Sequence, residues 1–411
     1  MPVSVDTVTM LAVVAGAAVL APFVVDRLEP WIRIPSVVVE ILLGILVGPA
    51  LLALVHPNEV IDALSDLGLA FLMFLAGYEI EFSRIRGGPL RSATWSWLVS
   101  LVLGLAVGLW IGGPHAGLVI GLALTTTALG VILPIVRDGG QSGTPFGDRV
   151  LAVGTVGEFG PILAIAFILS GDRPAQTLVV LVVFAALALT GAWLARQPRH
   201  PRLGRLVTAT LGTSSQVAVR LCVLVVIGMF ALASVLGLDP VLGAFTAGIL
   251  VHLFLSSSDP LESHVVESRL EGIGFGFLIP IFFVMSGVTL DVQSLVEDPE
   301  VLLTVPLYTV LFLLVRGVPT FLAHRRDLGK RDAAALATMS ATGLPLVVVV
   351  TAVGVDAGVL PAANAAALVA AGMLSVLVFP VSAGKLRRMA SNGGRAHREH
   401  QSRPSERPDA L

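Results

Sequence analysis

The sequence is short of the residues that most soluble folds depend on. Only 13% of its 411 residues are charged, whereas a soluble globular domain carries about 25%. Its single cysteine, Cys222, excludes an internal disulfide framework and a cysteine-rich metal site. The formal net charge is −2, so overall charge does not indicate a nucleic-acid partner. Hydrophobic residues make up 55% of the chain instead, with a mean hydropathy of +0.90.

Apolar runs of around 20 residues recur along most of the chain, a pattern typical of transmembrane helices. They predict an all-α polytopic membrane protein with about thirteen spans. The first of these is the N-terminal apolar run, which lacks the basic region of a signal peptide. The predicted spans are 8–25, 35–54, 60–80, 93–112, 115–137, 147–170, 174–196, 213–237, 239–256, 270–290, 300–323, 331–354 and 358–381.

Basic residues orient these spans in the membrane. All arginines and lysines except Arg173, Arg220 and Arg316 fall in loops after odd-numbered spans or in the C-terminal tail. By the positive-inside rule, the N-terminus is therefore outside and the C-terminus cytoplasmic. The tail, 385–411, is rich in Arg, Ser, Gly and Pro and poor in apolar residues, which predicts a disordered basic segment. Such a segment is suited to contact with anionic lipid.

Two parts of the chain resemble each other. FLMFLAGYEIE (71–81) matches IFFVMSGVTLD (281–291), and GILVGP (44–49) matches GILVHL (248–253). Both offsets move a motif by seven predicted spans, and an odd number inverts the second copy in the membrane. We therefore predict inverted repeats over about 8–170 and 213–381, joined by a linker helix, 174–196. Inverted repeats are typical of secondary transporters.

Predicted spans five and twelve are counterparts in these repeats, and both look interrupted. They read GLALTTTALGVILPIV and ATMSATGLPLVVVV, with hydroxyl residues and glycine near the middle and proline after them. Glycine and proline weaken a helix, and hydroxyls can bond the freed backbone groups. This pattern predicts two crossed discontinuous helices at an ion site, with two ordinary proline kinks as the alternative. The residues at these breaks are Thr125, Thr126, Thr127, Gly130, Ser340, Thr342, Gly343 and Pro345.

Glu158 and Arg316 are ionisable residues near the middle of apolar spans. A charge at mid-bilayer costs from about 3 to more than 10 kcal/mol, so such residues indicate a functional site. Glu158 lies about 17 Å into its span at the helical rise. If the Glu158 carboxylate binds either a proton or a monovalent cation, but not both, binding of one releases the other, and the protein exchanges the two ions. Arg316 is then the charge partner that neutralises the empty site. The alternative is a static salt bridge between two helices.

Several segments carry a resemblance to a known family. They are IPSVVVEILLGILVGP (34–49), LSDLGLAFLMFLAGYEIEF (64–82), TTTALGVILPIVRD (125–138), TPFGDRVLAVGTV (144–156), LGLDPVLGAFTAGILV (236–251) and LIPIFFVMSGVTLD (278–291). The chain resembles the monovalent cation:proton antiporter-2 family, the Kef-like and NapA-like sodium or potassium/proton antiporters. The resemblance implies an NhaA-like fold, with a dimerisation domain and a moving core domain.

The resemblance also implies roles for site residues. Family members often carry Asp-Asp or Asn-Asp where this chain has Gly157-Glu158, so only the second acid is present. Arg316 matches the family's basic residue within a helix, which is commonly lysine. Thr126 and Thr127 match the unwound stretch of the first crossed helix, which makes them candidate cation ligands beside Glu158.

We therefore expect residues 1–384 to form a membrane transport domain that exchanges Na⁺ or K⁺ for H⁺ by alternating access. With one carboxylate and a permanent arginine, one-for-one electroneutral exchange is the simpler expectation. The expected partners are the transported ions, the lipid bilayer of the cell membrane and a second copy of the chain. No nucleophile–base set or metal-ligand cluster is visible, so we expect neither enzyme activity nor a cofactor. Two alternatives remain: a Na⁺-coupled small-solute symporter of the same fold, and a gated cation channel or non-transporting sensor.

Weaker candidates lie near the predicted cytoplasmic ends of spans. Glu40 is a candidate for the cytoplasmic funnel, with a capping or snorkelling role as the alternative. Arg220 is predicted to snorkel, and His252 to be an interfacial histidine rather than a pH sensor. The small-residue pairs Gly44–Gly48 and Gly104–Gly108 predict close helix packing.

Overall fold

A computed structural model describes most of the chain. The described residues are 5–28, 34–79, 87–138, 140–141, 143–168, 179, 182, 186, 190, 216–236, 238, 240–255, 260–293 and 299–401. Throughout these residues the regular structure is helical.

The helices fall into two groups along the chain, before and after residues 169–215. The first group comprises α1 (Val5–Leu28), α2 (Ser36–Val47), α3 (Glu59–Tyr78), α4 (Gly88–Ala123), α5 (Leu129–Asp138) and α6 (Pro145–Ile168). The second comprises α7 (Val217–Val235), α8 (Pro240–Leu255), α9 (Pro260–Ile273), α10 (Ile279–Val288), α11 (Pro299–Phe312), α12 (Val318–His324), α13 (Lys330–Ser340), α14 (Leu344–Asp356) and α15 (Ala362–Gln401). One π-helical turn, Gly274–Leu278, joins α9 to α10, and another, Leu313–Gly317, joins α11 to α12.

These helices confirm the predicted class of all-α polytopic membrane protein. Among the described residues, eight helical segments are long and apolar enough to cross a membrane, and α2 and α8 are shorter apolar helices. Twelve of the thirteen predicted spans coincide with described helices. The seventh, 174–196, lies largely outside the described residues, so the count of thirteen stays a prediction.

Predicted spans four and five are the two halves of α4, and they are separated by a non-helical residue. Gly113 adopts a φ of 67° and a ψ of −166° just before Pro114, and the chain reverses there. The two halves of α4 then pack against each other through glycines. A Cβ on Gly108 would lie 2.7 Å from the Cα of Gly121, so only glycine allows this approach. The close packing predicted for the Gly104–Gly108 pair is thus confirmed, between the two halves of α4.

Glycine contacts also relate the two predicted repeats. On α2, a Cβ at Gly44 would lie 3.0 Å from the Cα of Gly287 on α10. On α8, a Cβ at Gly248 would lie 3.0 Å from the carbonyl carbon of Gly77 on α3. In the sequence repeat, Gly44 corresponds to Gly248, and Gly287 corresponds to Gly77. The contact between Gly44 and Gly287 therefore corresponds to the contact between Gly248 and Gly77. Two repeats related by a pseudo-twofold axis are expected to show this reciprocity.

The final helix extends beyond the predicted end of the membrane domain. We expected disorder from Lys385, but α15 is helical as far as Gln401. Near its C-terminal end, Arg387 lies 3.8 Å above the ring of Phe146. Arg387 also donates to Asp332 at 3.3 Å and to Gln141 at 2.8 Å. These contacts tie the helix to its neighbours at Arg387, two residues past Lys385; residues 402–411 lie outside the described part of the chain.

Candidate functional site

Two helix interruptions meet in the interior. α4 ends at Ala123 and α5 begins at Leu129, while α13 ends at Ser340 and α14 begins at Leu344. The backbone N–H of Ala128 donates to the carbonyl of Thr342 at 2.7 Å. These are the two breaks predicted from the sequence, and their direct hydrogen bond distinguishes them from two separate proline kinks.

The threonines at the first break bond the backbone groups that the interruption frees. The Oγ1 of Thr125 donates to the carbonyl of Leu122, and that of Thr126 to the carbonyl of Ala123, both at 2.8 Å. The same two carbonyls also accept the backbone N–H groups of Thr125 and Thr126, at 3.0 and 3.2 Å, so each residue closes a tight turn on its own helix end. Thr126 is therefore engaged with its own helix in this structure.

Thr127 connects the two breaks. Its hydroxyl donates to the carbonyl of Ser340 at 2.6 Å and accepts a hydrogen bond from Nε of Arg316 at 2.9 Å. Its backbone N–H donates to the carbonyl of Gly157 on α6 at 3.0 Å. Thr127 thus joins α13, the turn that carries Arg316, and the helix that carries Glu158.

Glu158 lies beside the first break, with only 6% of its surface exposed. Its carboxyl group accepts a hydrogen bond from the backbone N–H of Leu129, the first residue of α5. A helix N-terminus carries partial positive charge and stabilises an anion. The acid predicted from the sequence is therefore placed at a half-helix end, inside the protein and away from the lipid-facing surface.

Arg316 is fully buried in the π-helical turn between α11 and α12. Besides its bond to Thr127, it donates from Nη2 to the carbonyl of Val153 at 2.8 Å, and Nη1 has no hydrogen-bond partner. Isolated π-helical turns are frequent at functional sites. In this conformation of the described residues, Arg316 is not ion-paired with Glu158. The static salt bridge is thus not formed in this structure, because the guanidinium bonds to Thr127 and to the α6 backbone. A pair that forms transiently during exchange stays a prediction.

The packing around Gly157 explains where the guanidinium lies. A Cβ at this position would approach the Cβ of Thr127 to 2.6 Å and Nη2 of Arg316 to 2.7 Å. In the family that the chain resembles, the first of the two acidic residues lies at the position of Gly157. This packing leaves no room for any side chain at residue 157, and Arg316 occupies the adjacent space.

The other predicted break residues have smaller roles. Gly130 is exposed in the first turn of α5. At the second break, the N–H of Gly343 approaches Oγ of Ser375 on α15 at 3.4 Å. Pro345 is the second residue of α14, where its missing N–H needs no partner. Oγ1 of Thr342 lies 3.5 Å from the carbonyl of Thr338, at the limit of a hydrogen bond.

The weaker candidates lie away from the crossing. Glu40 is 5% exposed on α2 and accepts a hydrogen bond from the side chain of Ser36, so it is buried and does not snorkel. Arg220 is exposed, as a snorkelling residue is. The His252 ring makes an edge contact with Tyr78, with centroids 5.4 Å apart.

Sequence reasoning missed a polar chain that leads from Arg316 to the helix end. Thr320 donates from Oγ1 to the Arg316 carbonyl at 2.8 Å. His324, fully buried, has Nδ1 2.9 Å from the Thr320 carbonyl and Nε2 3.0 Å from Oγ of Ser92. Polar residues at 316, 320 and 324 share one helix face by their i, i+4 spacing. That spacing is the sequence signal that reveals the chain.

A second missed residue is Thr155, one turn before Glu158 on α6. It is 5% exposed, and its Oγ1 is buried without a hydrogen-bond partner. Its signal in the sequence is the i, i+3 spacing to Glu158. In the part of the chain that the structure describes, no group of three or more His, Cys, Asp or Glu side chains is arranged to hold a metal ion.

Known proteins resemble this chain over most of its length. It is 28% identical over 400 residues to YjbQ of Bacillus subtilis, and the alignment covers 92% of this chain and 63% of that protein. It is 25% identical over 356 residues to the Na(+)/H(+)-K(+) antiporter GerN of Bacillus cereus, covering 84% and 88%. It is 27% identical over 421 residues to the glutathione-regulated potassium-efflux system protein KefC of Cronobacter sakazakii, covering 98% and 64%. The chain thus spans less than two thirds of the length of YjbQ and KefC.

The fold has solved counterparts. The structure of the sodium proton antiporter MjNhaP1 from Methanocaldococcus jannaschii superposes with a TM-score of 0.66 at 17% identity. The match covers 93% of this chain and 98% of that one, which confirms the NhaA-like fold. The family model for the transmembrane sodium/hydrogen exchangers matches residues 15–386. With nearly the whole membrane region matched, this chain belongs to the sodium/hydrogen exchanger family.

Proposed function

We propose that the protein is a secondary transporter that exchanges a monovalent cation, Na⁺ or K⁺, for H⁺ by alternating access. The carrying observation is one buried carboxylate, Glu158, at the N-terminus of a half-helix where two broken helices cross. The similarity to GerN, a Na(+)/H(+)-K(+) antiporter, and to KefC, a potassium-efflux system protein, supports a monovalent cation as cargo. A transporter, rather than an enzyme, fits both observations.

Exchange follows from competition for one group. A proton and a cation both bind through the carboxyl oxygens of Glu158, so one leaves as the other arrives. When both are absent, the carboxylate is an anion in a nearly dry site, stabilised by the N–H of Leu129. Arg316 is hydrogen-bonded to Thr127 at the first break and to Val153 on the helix that carries Glu158. Its positive charge therefore favours the ionised form of Glu158 without a direct contact. Thr126 and Thr127 serve the site by holding the break and Arg316.

The exchange is proposed to be one-for-one and electroneutral. Gly157 supplies no acid next to Glu158, and the packing around it encloses the position. Glu79, at the C-terminal end of α3, is a second carboxyl group that acts electrostatically on Glu158, and we assign it no proton of its own in the cycle. Arg316 keeps its charge throughout and is hydrogen-bonded to two helices, so it does not carry a proton across. A cycle in which one H⁺ replaces one monovalent cation moves no net charge.

The proposed setting is a homodimer in the cell membrane, with the N-terminus outside and the C-terminus cytoplasmic. Residues 1–384 form the transport domain, with inverted repeats over about 8–170 and 213–381 and the linker helix 174–196. The reciprocal contacts of Gly44 with Gly287 and of Gly77 with Gly248 support the repeats. The distribution of basic residues supports the orientation. Glu40 remains a proposed contributor to the cytoplasmic side of the pathway.

A cation-jump experiment tests this function. Purified protein is reconstituted into vesicles with a lumenal pH dye, and Na⁺ or K⁺ is added outside. We expect the lumen to become alkaline with wild type and Arg316→Ala to be impaired. Glu158→Gln should be inactive, because an amide releases no proton. Proton movement that survives Glu158→Gln contradicts the proposed site.

The same vesicles separate the alternatives. Electroneutral exchange keeps its rate when a membrane potential is imposed, although each transported net charge would experience about 2.3 kcal/mol per 100 mV. A channel passes cations without a fixed ratio to protons. A solute symporter requires an organic substrate before cation flux appears.

A further inference from the structure

Four buried residues around the crossing form a closed hydrogen-bonded network. Arg316 donates from Nε to Oγ1 of Thr127 at 2.9 Å, and Thr127 donates to the carbonyl of Ser340 at 2.6 Å. Oγ of Ser340 donates to Oγ1 of Thr320 at 3.2 Å, and Thr320 donates to the Arg316 carbonyl at 2.8 Å. All four residues have 0% of their surface exposed. We call this closed set the Arg316 network.

Within the Arg316 network, Ser340 is connected to both ends of the arginine. Its carbonyl anchors the guanidinium through Thr127, and its hydroxyl reaches the arginine backbone through Thr320. The same hydroxyl lies 2.8 Å from the carbonyl of Ala337 on its own helix, so its one proton is shared between two acceptors. The contact with Thr320 is the one that joins α13 to the turn that carries Arg316.

This tie acts where the helix of Arg316 is least regular. The arginine lies in the π-helical turn Leu313–Gly317, and Pro319 follows without an N–H to donate. The backbone near Arg316 therefore has fewer hydrogen bonds of its own helix than a regular α-helix provides. The Ser340 hydroxyl supplies a bond from another helix through Thr320.

The position of the guanidinium matters because Glu158 is close in sequence to the group it packs against. Nη2 of Arg316 lies 2.7 Å from the place that a Cβ on Gly157 would take, one residue before Glu158. Opposite charges attract strongly in a nearly dry interior. A guanidinium released from the Arg316 network is therefore drawn toward the carboxylate of Glu158.

We propose that the hydroxyls of Ser340 and Thr320 are positioning groups that hold Arg316 away from the carboxylate of Glu158. Without them, the guanidinium competes with the cation and with the proton for the same oxygens. This inference rests on the proposed function, since it explains how the charge partner is kept from occupying the exchange site.

Cation binding in detergent tests this role independently of transport. The purified full chain is titrated with NaCl and with KCl at constant ionic strength, and thermal stabilisation reports the apparent Kd. Ser340→Ala keeps the carbonyl that Thr127 uses and removes only the hydroxyl. At alkaline pH, where Glu158 is ionised, we expect the apparent Kd to rise about three- to tenfold, the range that one hydrogen bond supports.

A titration at acid pH distinguishes positioning from damage to the site. A guanidinium near Glu158 weakens the binding of the cation and of the competing proton alike. The two losses cancel in acid, so the apparent Kd of Ser340→Ala should approach that of wild type there. An unchanged Kd at alkaline pH, or an equal rise at both pH values, overturns the proposal. Glu79, the other carboxyl group that acts on Glu158, is present in every variant.

Thr320 gives a second way to break the same contact, also if Ser340→Ala does not fold. Thr320→Val removes the hydroxyl and should reproduce the rise at alkaline pH, whereas Thr320→Ser should titrate like wild type. The double variant Ser340→Ala/Thr320→Val should bind the cation no more weakly than Thr320→Val alone, because both changes break one contact. Effects that multiply overturn the shared network.

Ser100→Ala and Thr351→Val are the matched controls. Both remove a buried hydroxyl that bonds to its own helix, Ser100 to the Ser96 carbonyl at 2.9 Å and Thr351 to the Val347 carbonyl at 2.8 Å. Their apparent Kd should equal that of wild type at both pH values. A rise in either control as large as that of Ser340→Ala overturns the assignment, because loss of any buried hydroxyl would then suffice.

Transport separates this proposal from the function on which it rests. In vesicles at alkaline pH, Ser340→Ala should raise the KM for the cation and leave the maximal rate unchanged. A lower maximal rate with an unchanged KM overturns the positioning role. Absence of exchange in wild type defeats the proposed function, and the binding titration still decides on Ser340. Absence of any cation-induced stabilisation in wild type overturns the positioning role as well.

Discussion

The half-helices α5 and α14 begin at the same crossing but face different chemistry. The first N–H of α5, on Leu129, is bound by the carboxyl group of Glu158. The N–H of Gly343, just before α14, approaches the hydroxyl of Ser375, whose own proton goes to the Gly372 carbonyl. Both helix starts thus have a side chain from a neighbouring helix beside them. Only the one at α5 can carry charge, and for that reason we propose ion binding at α5 and not at α14.

The surroundings of the two caps also differ. Gly157, next to Glu158, is enclosed by Thr127 and the Arg316 guanidinium. Gly372, one turn before Ser375, faces only Leu344, with a hypothetical Cβ at 3.2 Å or more. The α5 side therefore combines a carboxylate, a buried cation and tight packing. The α14 side is a neutral structural joint.

The largest expected effect comes from giving α5 the same kind of cap as α14. Glu158→Ser replaces the carboxylate with a hydroxyl, which neither binds a proton for transport nor neutralises a cation. We expect cation-driven proton movement in vesicles to fall to the background of empty vesicles. Circular dichroism should still show a helical protein. Exchange above background would mean that another group carries the ions.

Thr127→Val should produce the next largest effect, on stability. It leaves the Nε of Arg316 and the carbonyl of Ser340 without their partner, which we expect to cost about 3 kcal/mol in the free energy of unfolding. Unfolding in mixed detergent micelles measures this change. Thr126→Val is the control, because its hydroxyl bonds only within its own helix end, and it should cost about 1 kcal/mol. Equal losses for both variants would show that Thr127 does not join the two breaks energetically.

Comparing Gly157→Ala with Gly372→Ala tests the difference in packing. The alanine at 157 must displace Thr127 or Arg316, which should cost about 1–3 kcal/mol and slow exchange. The alanine at 372 needs only a small movement of Leu344, and the better helix propensity of alanine offsets it. Its unfolding free energy should match that of wild type. A neutral Gly157→Ala would refute the enclosure of Arg316.

Ser375→Ala should have the smallest effect. The hydrogen bond to Gly343 is long, at 3.4 Å, so its loss should cost at most about 1 kcal/mol. Exchange should stay at the wild-type rate, since no ion binds at this joint. A large loss of exchange with unchanged stability would show that the second half-helix end also handles ions.

Much of this site can be predicted from the sequence, because backbone polar groups and charged side chains inside a membrane must find partners within the protein. Uninterrupted apolar runs specify the spans, and the threonine, glycine and proline pattern specifies the two breaks. Glu158 is evident as a functional candidate because a buried acid at that depth is costly. The reversal inside α4 at Gly113 is also visible in the sequence as a Gly-Gly-Pro run, but the close packing of the two halves across it is a tertiary contact.

The sequence by itself determined the all-helical membrane architecture, the crossing breaks and the acid between them, because each depends on local composition and spacing. Only the tertiary structure decided which groups touch. Arg316 bonds to Thr127 and Val153 and not to Glu158, whose carboxyl group bonds to the backbone of Leu129. Such choices depend on distances of a few ångströms between separate helices, and hydrogen bonds weaken steeply over that range. No spacing along one helix determines those distances.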